Sequence, residues 1–142
     1  MAEKLQFKDH VVICGYGIVG ERIGEILLQS KMKFVVIEQD ATKVELLEER
    51  GVGVIVGDAT SSKTLKEANI ASARAIAVVM DDDAKNLFTV ITAKSLNPKI
   101  IIATRANNEF IKNKLEGAGA SFIATPNIST SEELFKEIIK EL

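Results

Sequence analysis

Short apolar runs alternate with segments of mixed polarity along almost the whole chain. Unbroken runs of this kind are typical of parallel strands covered by helices on both faces. We predict six strands, at residues 11–14, 34–37, 53–56, 75–79, 100–103 and 121–124. Helices are predicted between them, including residues 41–50, 62–69, 84–95 and 109–116. This alternation predicts an α/β fold with a doubly wound six-stranded parallel sheet in the order 3-2-1-4-5-6.

A glycine triplet follows the first predicted strand. Gly15, Gly17 and Gly20 have the G-x-G-x-x-G spacing that opens a nucleotide-binding helix. Gly15 permits a tight turn, Gly17 lets a pyrophosphate approach the backbone, and Gly20 lets the helix lie close to the sheet. The bare N–H groups at the helix start then face the phosphates. These features predict a Rossmann-like fold that binds an adenine nucleotide. The apolar face of the helix is assigned to Ile18, Val19, Ile23, Ile26 and Leu27.

An acid, Glu38, ends the second strand at the distance from the glycines that a dinucleotide fold requires. A carboxylate at this position accepts hydrogen bonds from a ribose 2′-hydroxyl and repels a 2′-phosphate. NAD, NADH or a simple adenosine nucleotide is therefore favoured over NADP. The other interpretation of Glu38 is a solvated acid at a strand end.

Polar residues follow the later strands, where ligands collect in open α/β sheets. Asp58, in the turn Gly57-Asp58-Ala59-Thr60, is either a contact to the base or ribose or the cap of the next helix. Arg105 either binds a phosphate or pairs with a neighbouring carboxylate.

Three consecutive acids, Asp81, Asp82 and Asp83, follow the fourth strand. They are either metal ligands or charges attracted to a helix start, with Asp82 or Asp83 as N-cap. Consecutive side chains point in different directions, which favours capping.

Composition excludes several classes of protein. At 142 residues the chain is long enough for one domain but too short for an additional substrate domain. The net charge of −2, with no basic cluster, argues against a nucleic-acid-binding protein.

The only cysteine, Cys14, and the only histidine, His10, form no zinc ligand set. Cys14 is expected to be an inert buried thiol. His10 is expected to be a partly exposed residue at a strand start, with a catalytic base as the alternative.

No apolar run reaches the roughly 18 residues needed to span a bilayer, so a soluble cytoplasmic domain without direct membrane insertion is expected. Residues 1–9 are expected to be an N-terminal arm or linker. The predicted helix at 84–95 carries more apolar surface than one core-facing stripe needs. A last helix, capped by Ser129, Thr130 or Ser131, stays amphipathic through Leu142. Both are expected to dock on a partner.

The sequence resembles the N-lobe of the regulator-of-potassium-conductance (RCK) domain, also called KTN or TrkA-N. The resemblance covers residues 10–142 and is carried by HVVICGYGIVG, VVIEQD, VGDAT, ARAIAVVMDDDAKN and GAGASFIATPN. It implies a nucleotide, NAD/NADH or AMP, ADP or ATP, lying across the strand ends. The implied binding residues are Gly15, Tyr16, Gly17, Ile18, Val19 and Gly20 for the phosphates, Glu38 for the ribose, Asp58 and Ala59 for the adenine, and Met80 and Arg105 at the later strand ends.

The same resemblance implies a non-enzymatic gating domain of a potassium channel or Trk/Ktr-type transporter, attached to the membrane through its pore-forming partner or segment. Such lobes form homodimers through the helices at 84–95 and 109–116 and assemble into larger, octamer-like rings, while the last helix crosses to a neighbouring lobe. Residues 83–98 look closer to the channel branch. No C-lobe or pore segment is found, so an excised piece or a stand-alone subunit is expected.

Calcium-gated members carry carboxylates at the fifth strand end, where residues 102–106 contain none, so calcium gating there is not expected. The alternative function is a small NAD-dependent dehydrogenase or reductase. Such an enzyme needs an acid or base beside the nicotinamide. The chain offers no well-placed histidine and no Tyr-x-x-x-Lys pair, and its only tyrosine, Tyr16, lies in the phosphate loop.

Overall fold

The computed structural model of the protein describes residues 8–142. Most of the predicted arm, residues 1–7, lies outside the described residues. The strands are β1 (Val11–Cys14), β2 (Phe34–Glu38), β3 (Val54–Val56), β4 (Ala75–Val78), β5 (Ile101–Arg105) and β6 (Phe122–Ala124). The helices are α1 (Ile18–Gln29), α2 (Ala41–Glu49), α3 (Ser62–Glu67), α4 (Asp83–Leu96), α5 (Glu109–Gly117) and α6 (Pro126–Glu141), with a short 3-10 helix at Ile70–Ser72. None of these helices is long and apolar enough to cross a membrane.

All six strands pair in parallel in the order β3-β2-β1-β4-β5-β6, which confirms the predicted topology. β1 lies between β2 and β4, with Val11 level with both Phe34 and Ala75. Parallel strands in register bring their carboxyl ends to one edge of the sheet. The residues that follow β1, β2, β3 and β4 therefore meet at that edge.

The core lies on both faces of the sheet, as the unbroken apolar runs require. Along β1, Val12 and Cys14 pack into one buried cluster and Ile13 into the other. The larger cluster includes Leu65 of α3 and other apolar residues of α4 and α5, and the smaller one includes Leu47 of α2. Cys14 is fully buried, which confirms the expected buried thiol, and burial raises the pKa of the thiol.

The apolar face predicted for α1 is partly wrong. Ile18 is 93% exposed, and Val19 and Ile26 are also exposed. The buried residues of the helix are two glycines, Gly20 and Gly24. Because a glycine has no side chain, α1 approaches the sheet closely along the glycine face. Ile23 and Leu27, two of the predicted residues, are partly buried and pack against the smaller core cluster, whereas Ile18, Val19 and Ile26 point away.

The predicted start of the last helix is also wrong. α6 begins at Pro126, earlier than the predicted caps, and none of its residues is buried. Proline is well suited to a first helical position because its fixed φ angle matches the helix and its missing N–H needs no partner. Ser131, a predicted cap, lies inside the helix, where its hydroxyl donates to the carbonyl of Asn127 at 2.7 Å.

His10 is fully buried, which contradicts the expected partly exposed position. Its Nε2 lies 2.8 Å from the carbonyl oxygen of Ala68. Burial lowers the pKa of the imidazole. The histidine therefore belongs to the packing at the amino end of β1, away from the carboxyl edge of the sheet.

Candidate functional site

A cleft of about 230 Å³ lies at the carboxyl edge of the sheet, across the ends of β1, β2, β3 and β4. This is the position where open α/β sheets bind their ligands. Its walls are the residues that follow each of these strands together with the first turns of α2 and α4. They are Gly15, Tyr16, Gly17, Ile37, Glu38, Gln39, Lys43, Gly57, Asp58, Ala59, Val79, Met80, Asp81, Asp82 and Lys85.

The glycine-rich turn forms one wall of this cleft. Gly15 has φ of +95°, a conformation that L side chains rarely adopt, so the turn off β1 requires glycine. α1 then begins without a side-chain cap at Gly17. By contrast, Asp40, Asp82 and Asn108 cap α2, α4 and α5 with their side chains. The start of α1 is therefore left open beside the cleft, as an anion site requires.

The three glycines have different surroundings. A Cβ at Gly17 would meet nothing within 4 Å, because this position opens onto the cleft. A Cβ at Gly20 would collide with the carbonyl oxygen of Gly15. Gly20 is thus required by the packing of α1 on the turn, whereas Gly17 leaves space at the cleft surface.

Glu38 is held firmly at the end of β2. Its Oε1 accepts a hydrogen bond from the backbone amide of Tyr16 at 2.9 Å, and its Oε2 accepts from the amides of Gln39 and Asp40 at 3.0 and 2.9 Å. These bonds use three of the roughly four lone-pair sites of the carboxylate, so one acceptor site remains on Oε1. The carboxylate is therefore not a freely solvated strand-end acid.

Tyr16 lines the cleft, although the residue is almost completely buried. Its side chain is 3% exposed and packs with Ile13 and Leu47. A Cβ at Gly24 would approach the phenol oxygen to 3.0 Å, which shows how closely α1 covers the ring. Burial raises the pKa of the phenol. Because its amide already donates to Glu38, Tyr16 holds the turn in place and has no free N–H for a phosphate.

Asp58 and Ala59 line the cleft after β3. The Asp58 Oδ1 accepts hydrogen bonds from the Thr60 amide at 2.9 Å and the Thr60 hydroxyl at 2.8 Å, and these bonds lower the pKa of the carboxyl. The N-cap of α3 is Ser61, without a side-chain bond. The helix-cap interpretation of Asp58 is therefore wrong, and its carboxylate stabilises the turn at the cleft instead.

The aspartate run behaves as a cap. The Asp82 side chain accepts from the amide of Lys85 at 3.1 Å and so caps α4, as predicted. Among residues 8–142, no three His, Cys, Asp or Glu side chains are grouped for a metal ion. Met80, just before the run, covers the turn after β1, since a Cβ at Gly15 would lie 2.9 Å from its Cγ.

Four of the predicted site residues are not on the cleft wall: Ile18, Val19, Gly20 and Arg105. The first three belong to the opening turn of α1 behind Gly17. Arg105 ends β5, one strand beyond β4. Its Nε is buried and has no hydrogen-bond partner among the described residues, so the alternative of a carboxylate pair is not formed through this atom.

Two lysines on the cleft wall were missed by the sequence interpretation. Lys43 lies in the first turn of α2 and Lys85 in the first turn of α4. Their position in the sequence could have revealed them, because a residue in the first helical turn after a parallel strand lies near the edge of the sheet where ligands bind. They supply the positive charge on a wall that also carries Glu38, Asp58, Asp81 and Asp82.

The topology, the glycine-rich turn and the strand-end acid define a Rossmann-like domain. The chain belongs to the TrkA-N domain family, whose family model matches residues 11–126. This confirms the resemblance described above. The domain limits at residues 10 and 142 stay a prediction.

Named relatives in sequence are potassium-transport proteins. Potassium channel protein 1 of Methanocaldococcus jannaschii is 37% identical over 131 residues, which cover 91% of this chain and 39% of that protein. The glutathione-regulated potassium-efflux system protein KefC of Enterobacter sp. (strain 638) is 34% identical over 129 residues, covering 91% of this chain and 20% of that protein. The chain thus spans two fifths or less of the length of these relatives. Their names are those of potassium channel and efflux proteins, not of enzymes.

Solved structures have the same fold. The TrkA-N domain of the Escherichia coli inner membrane protein ybaL has a TM-score of 0.88 and 27% identity, covering 92% of this chain and 97% of that one. The GsuK channel bound to NAD has a TM-score of 0.76 and 24% identity over 84% of this chain and 22% of that one. The AMP-bound Kef C-terminal domain of Shewanella denitrificans has a TM-score of 0.78 and 21% identity over 92% of this chain and 79% of that one.

Proposed function

We propose that this chain is a regulatory domain of a potassium channel or potassium transporter and that it binds an adenine nucleotide in the cleft across β1–β4. One observation carries the proposal. The open start of α1, the glycine-rich turn and the anchored carboxylate of Glu38 all lie at the same cleft, although Glu38 is separated from Tyr16 by 22 positions in sequence.

The assignment of ligand groups follows the walls of the cleft. The phosphates lie against the turn at Gly15 and Gly17, in front of the uncapped amides of Ile18, Val19 and Gly20. Lys43 and Lys85 offset part of the negative charge of the phosphates and of the carboxylates on the wall. A ribose hydroxyl donates to Glu38, and the adenine lies against Asp58, Ala59 and Met80. Arg105 remains within this proposal as a phosphate contact from the end of β5, where its Nε has no partner among the described residues.

The ligand class is a nucleotide without a 2′-phosphate. A 2′-phosphate would bring at least one further negative charge against Glu38, in a cleft whose wall already carries three aspartates. NAD or NADH and AMP, ADP or ATP meet this condition. The NAD-bound and AMP-bound proteins with this fold support the same choice.

The role proposed for the nucleotide is regulatory and not catalytic. The two side chains that resemble the acid or base of a reductase, His10 and Tyr16, are both buried. Neither ring reaches the cleft, so hydride chemistry has no proton donor from these groups. The nucleotide instead shifts the arrangement of neighbouring lobes, and that shift acts on a membrane pore.

The partners proposed are further copies of the chain and a pore-forming subunit or segment. Large apolar side chains lie exposed on α4, α5, β6 and α6. They are Phe88, Ile91, Phe110, Phe122, Leu134, Phe135, Ile138 and Ile139. A homodimer through α4 and α5, a ring built from such dimers and a crossing of α6 to a neighbouring lobe would cover this surface on the cytoplasmic side of the membrane.

Calorimetric titration of the purified chain with NAD, NADH, ATP, ADP, AMP and NADP tests the proposal. We expect saturable binding of at least one nucleotide without a 2′-phosphate, weaker binding of NADP, and no turnover of NADH. A folded chain that binds none of the six would refute nucleotide sensing. Oxidation of NADH that depends on the chain and on a cellular extract would favour the reductase instead.

A further inference from the structure

Helix α4 carries two polar side chains on its buried face. Asn86 and Thr89 have no exposed surface and lie one helical turn apart, on the same face as Val90 and Ala93. Burying a polar side chain is costly unless it is hydrogen-bonded, so an apolar residue would be the ordinary choice at such positions. Their hydrogen bonds therefore indicate what the two residues do.

Both side chains bond to backbone groups of the cleft wall. Asn86 accepts from the amide of Met80 at 3.0 Å and donates to the carbonyl of Met80 at 2.9 Å, so that it holds both polar groups of this residue. The hydroxyl of Thr89 donates to the carbonyl of Ala59 at 3.1 Å. Met80 and Ala59 both line the cleft.

The two wall residues follow strands that are not neighbours in the sheet. Ala59 follows β3 and Met80 follows β4, and β2 and β1 lie between these strands in the sheet. Strand pairing therefore does not join the two walls directly, whereas α4 bonds to both of them. Through Asn86 and Thr89, which lie one helical turn apart, α4 thus holds the loop after β3 and the loop after β4 together at the adenine side of the cleft.

We propose that Asn86 and Thr89 are positioning residues that set the width of the nucleotide cleft and make α4 respond to its occupant. This rests on the proposed function, because the occupant is the adenine nucleotide. The opposite side of α4 exposes Phe88 and Ile91. When a ligand contacts Ala59 and Met80, any displacement of these residues is therefore passed to α4. The outer surface of this helix is exposed and can contact a partner.

The test compares Thr89→Val with Thr89→Ser. Valine keeps the shape of threonine but leaves the Ala59 carbonyl without its donor, while serine keeps the hydroxyl. Thr92→Val is the matched control, because the Thr92 hydroxyl on the same helix donates to the carbonyl of Phe88 within α4 and not to a residue of the cleft wall. We expect Thr89→Val to raise the Kd for AMP, measured by calorimetry, about tenfold, the effect of one hydrogen bond. Thr89→Ser and Thr92→Val should bind like the unchanged chain.

Hydrogen exchange distinguishes a positioning role of Thr89 from a purely structural one. AMP should slow amide exchange along α4 in the unchanged chain and in Thr92→Val, and this protection should be lost in Thr89→Val while α1 stays protected. A purely structural role would lower the Tm of Thr89→Val but leave its Kd and its α4 protection unchanged, which would overturn the inference. If Thr89→Val does not fold, Thr89→Ala is compared with Thr89→Ser in the same way.

The unchanged chain distinguishes the two proposals. If it binds AMP and Thr89→Val binds equally well, the inference fails and the proposed function stands. If the folded, unchanged chain binds no adenine nucleotide, the proposed function fails, and the inference fails with it.

Discussion

The carboxylate of Glu38 accepts a hydrogen bond from the backbone amide of Tyr16 at 2.9 Å. The end of β2 is thereby tied to the glycine-rich turn after β1. The buried ring of Tyr16 holds the same turn against α1 and α2. The acid predicted for ribose binding therefore also helps to shape the phosphate loop, and a change at Glu38 affects both parts of the site.

We predict that Glu38→Ala weakens every ribose-bearing ligand. The change removes the ribose acceptor and leaves the Tyr16 amide without its bond, so the expected loss in affinity is about tenfold or more, as for a hydrogen bond to a charged group. Calorimetry with AMP and with 2′-deoxyAMP measures it. The difference between these two ligands should shrink in the variant if the 2′-hydroxyl is bound by Glu38.

Glu38→Gln is the matched control for charge. It keeps a carbonyl oxygen that can accept from Tyr16, but it removes the negative charge that disfavours a 2′-phosphate. We expect the preference for NAD over NADP to fall in Glu38→Gln. Equal affinities of the Ala variant and the unchanged chain for AMP would mean that Glu38 does not contact the ligand.

We predict that Gly17→Val abolishes nucleotide binding and leaves the fold intact. A Cβ at Gly17 meets nothing within 4 Å, so the valine side chain extends into the cleft, where the phosphates would lie. Circular dichroism and thermal unfolding should match the unchanged chain, while calorimetry should detect no binding. Unchanged affinity would refute the assignment of the phosphate loop.

Gly20→Ala is the control, because it should destabilise the fold, whereas Gly17→Val should block binding without destabilising it. Its Cβ would collide with the carbonyl oxygen of Gly15, so the turn or α1 must shift. We expect the free energy of unfolding to fall by about 1–3 kcal/mol, the usual cost of overpacking. If Gly20→Ala were as stable as Gly17→Val, the two glycines would not have the separate roles described above.

The fold was predictable because its signals are local in sequence. The apolar runs of β1 and β4, the glycine spacing and Glu38 all lie in short segments whose patterns have one common structural solution. Parallel pairing then brings the strand ends together, so the positions of Asp58 and Met80 at the cleft follow from topology.

What the sequence did not reveal depends on contacts between distant segments. The burial of His10 requires the loop at Ala68, 58 residues away. The inward face of α1 is set by the close approach of Gly24 to Tyr16, which no helical periodicity of large side chains predicts. The roles of Asn86 and Thr89 could not be predicted either, because their backbone partners, Met80 and Ala59, lie in loops outside the helix.

We predict that the stability of the domain decreases as the pH falls below about 6.5 through the protonation of His10. Burial lowers the pKa of His10 in the folded state from its ordinary value of 6.5. Below pH 6.5 the unfolded chain therefore binds a proton that the folded chain does not. The contribution of neutral His10 to the free energy of unfolding is complete above pH 6.5 and decreases as the pH falls. The decrease is at most about 1.4 kcal/mol per pH unit and ends below the folded-state pKa of His10.

Urea unfolding between pH 5 and pH 8 measures this dependence. His10→Gln is the control, because an amide can bond to the Ala68 carbonyl but does not titrate in this range. Subtracting the two profiles removes the contribution of the carboxylates, including Asp58. Parallel profiles for the variant and the unchanged chain would show that His10 takes no part in the pH dependence.

The proposed dimer surface includes Phe110, at the start of α5. Its ring is 68% exposed, and its only described ring contact is with the ammonium group of Lys114, 5.3 Å from the centroid. An exposed cation–π contact of this kind contributes about 1 kcal/mol or less. A substitution at Phe110 should therefore change association much more than folding.

We predict that Phe110→Glu converts the associated chain to a monomer. The new carboxylate would be buried without a partner at an apolar interface, a cost of several kcal/mol in a dimer that contains it twice. Sedimentation at several concentrations measures the association, and thermal unfolding at low concentration checks the fold. Gln29→Glu, which adds the same charge at the exposed end of α1, is the control and should associate like the unchanged chain. If Phe110→Glu associates equally well, α5 does not form the interface and another apolar surface, such as α6, must do so.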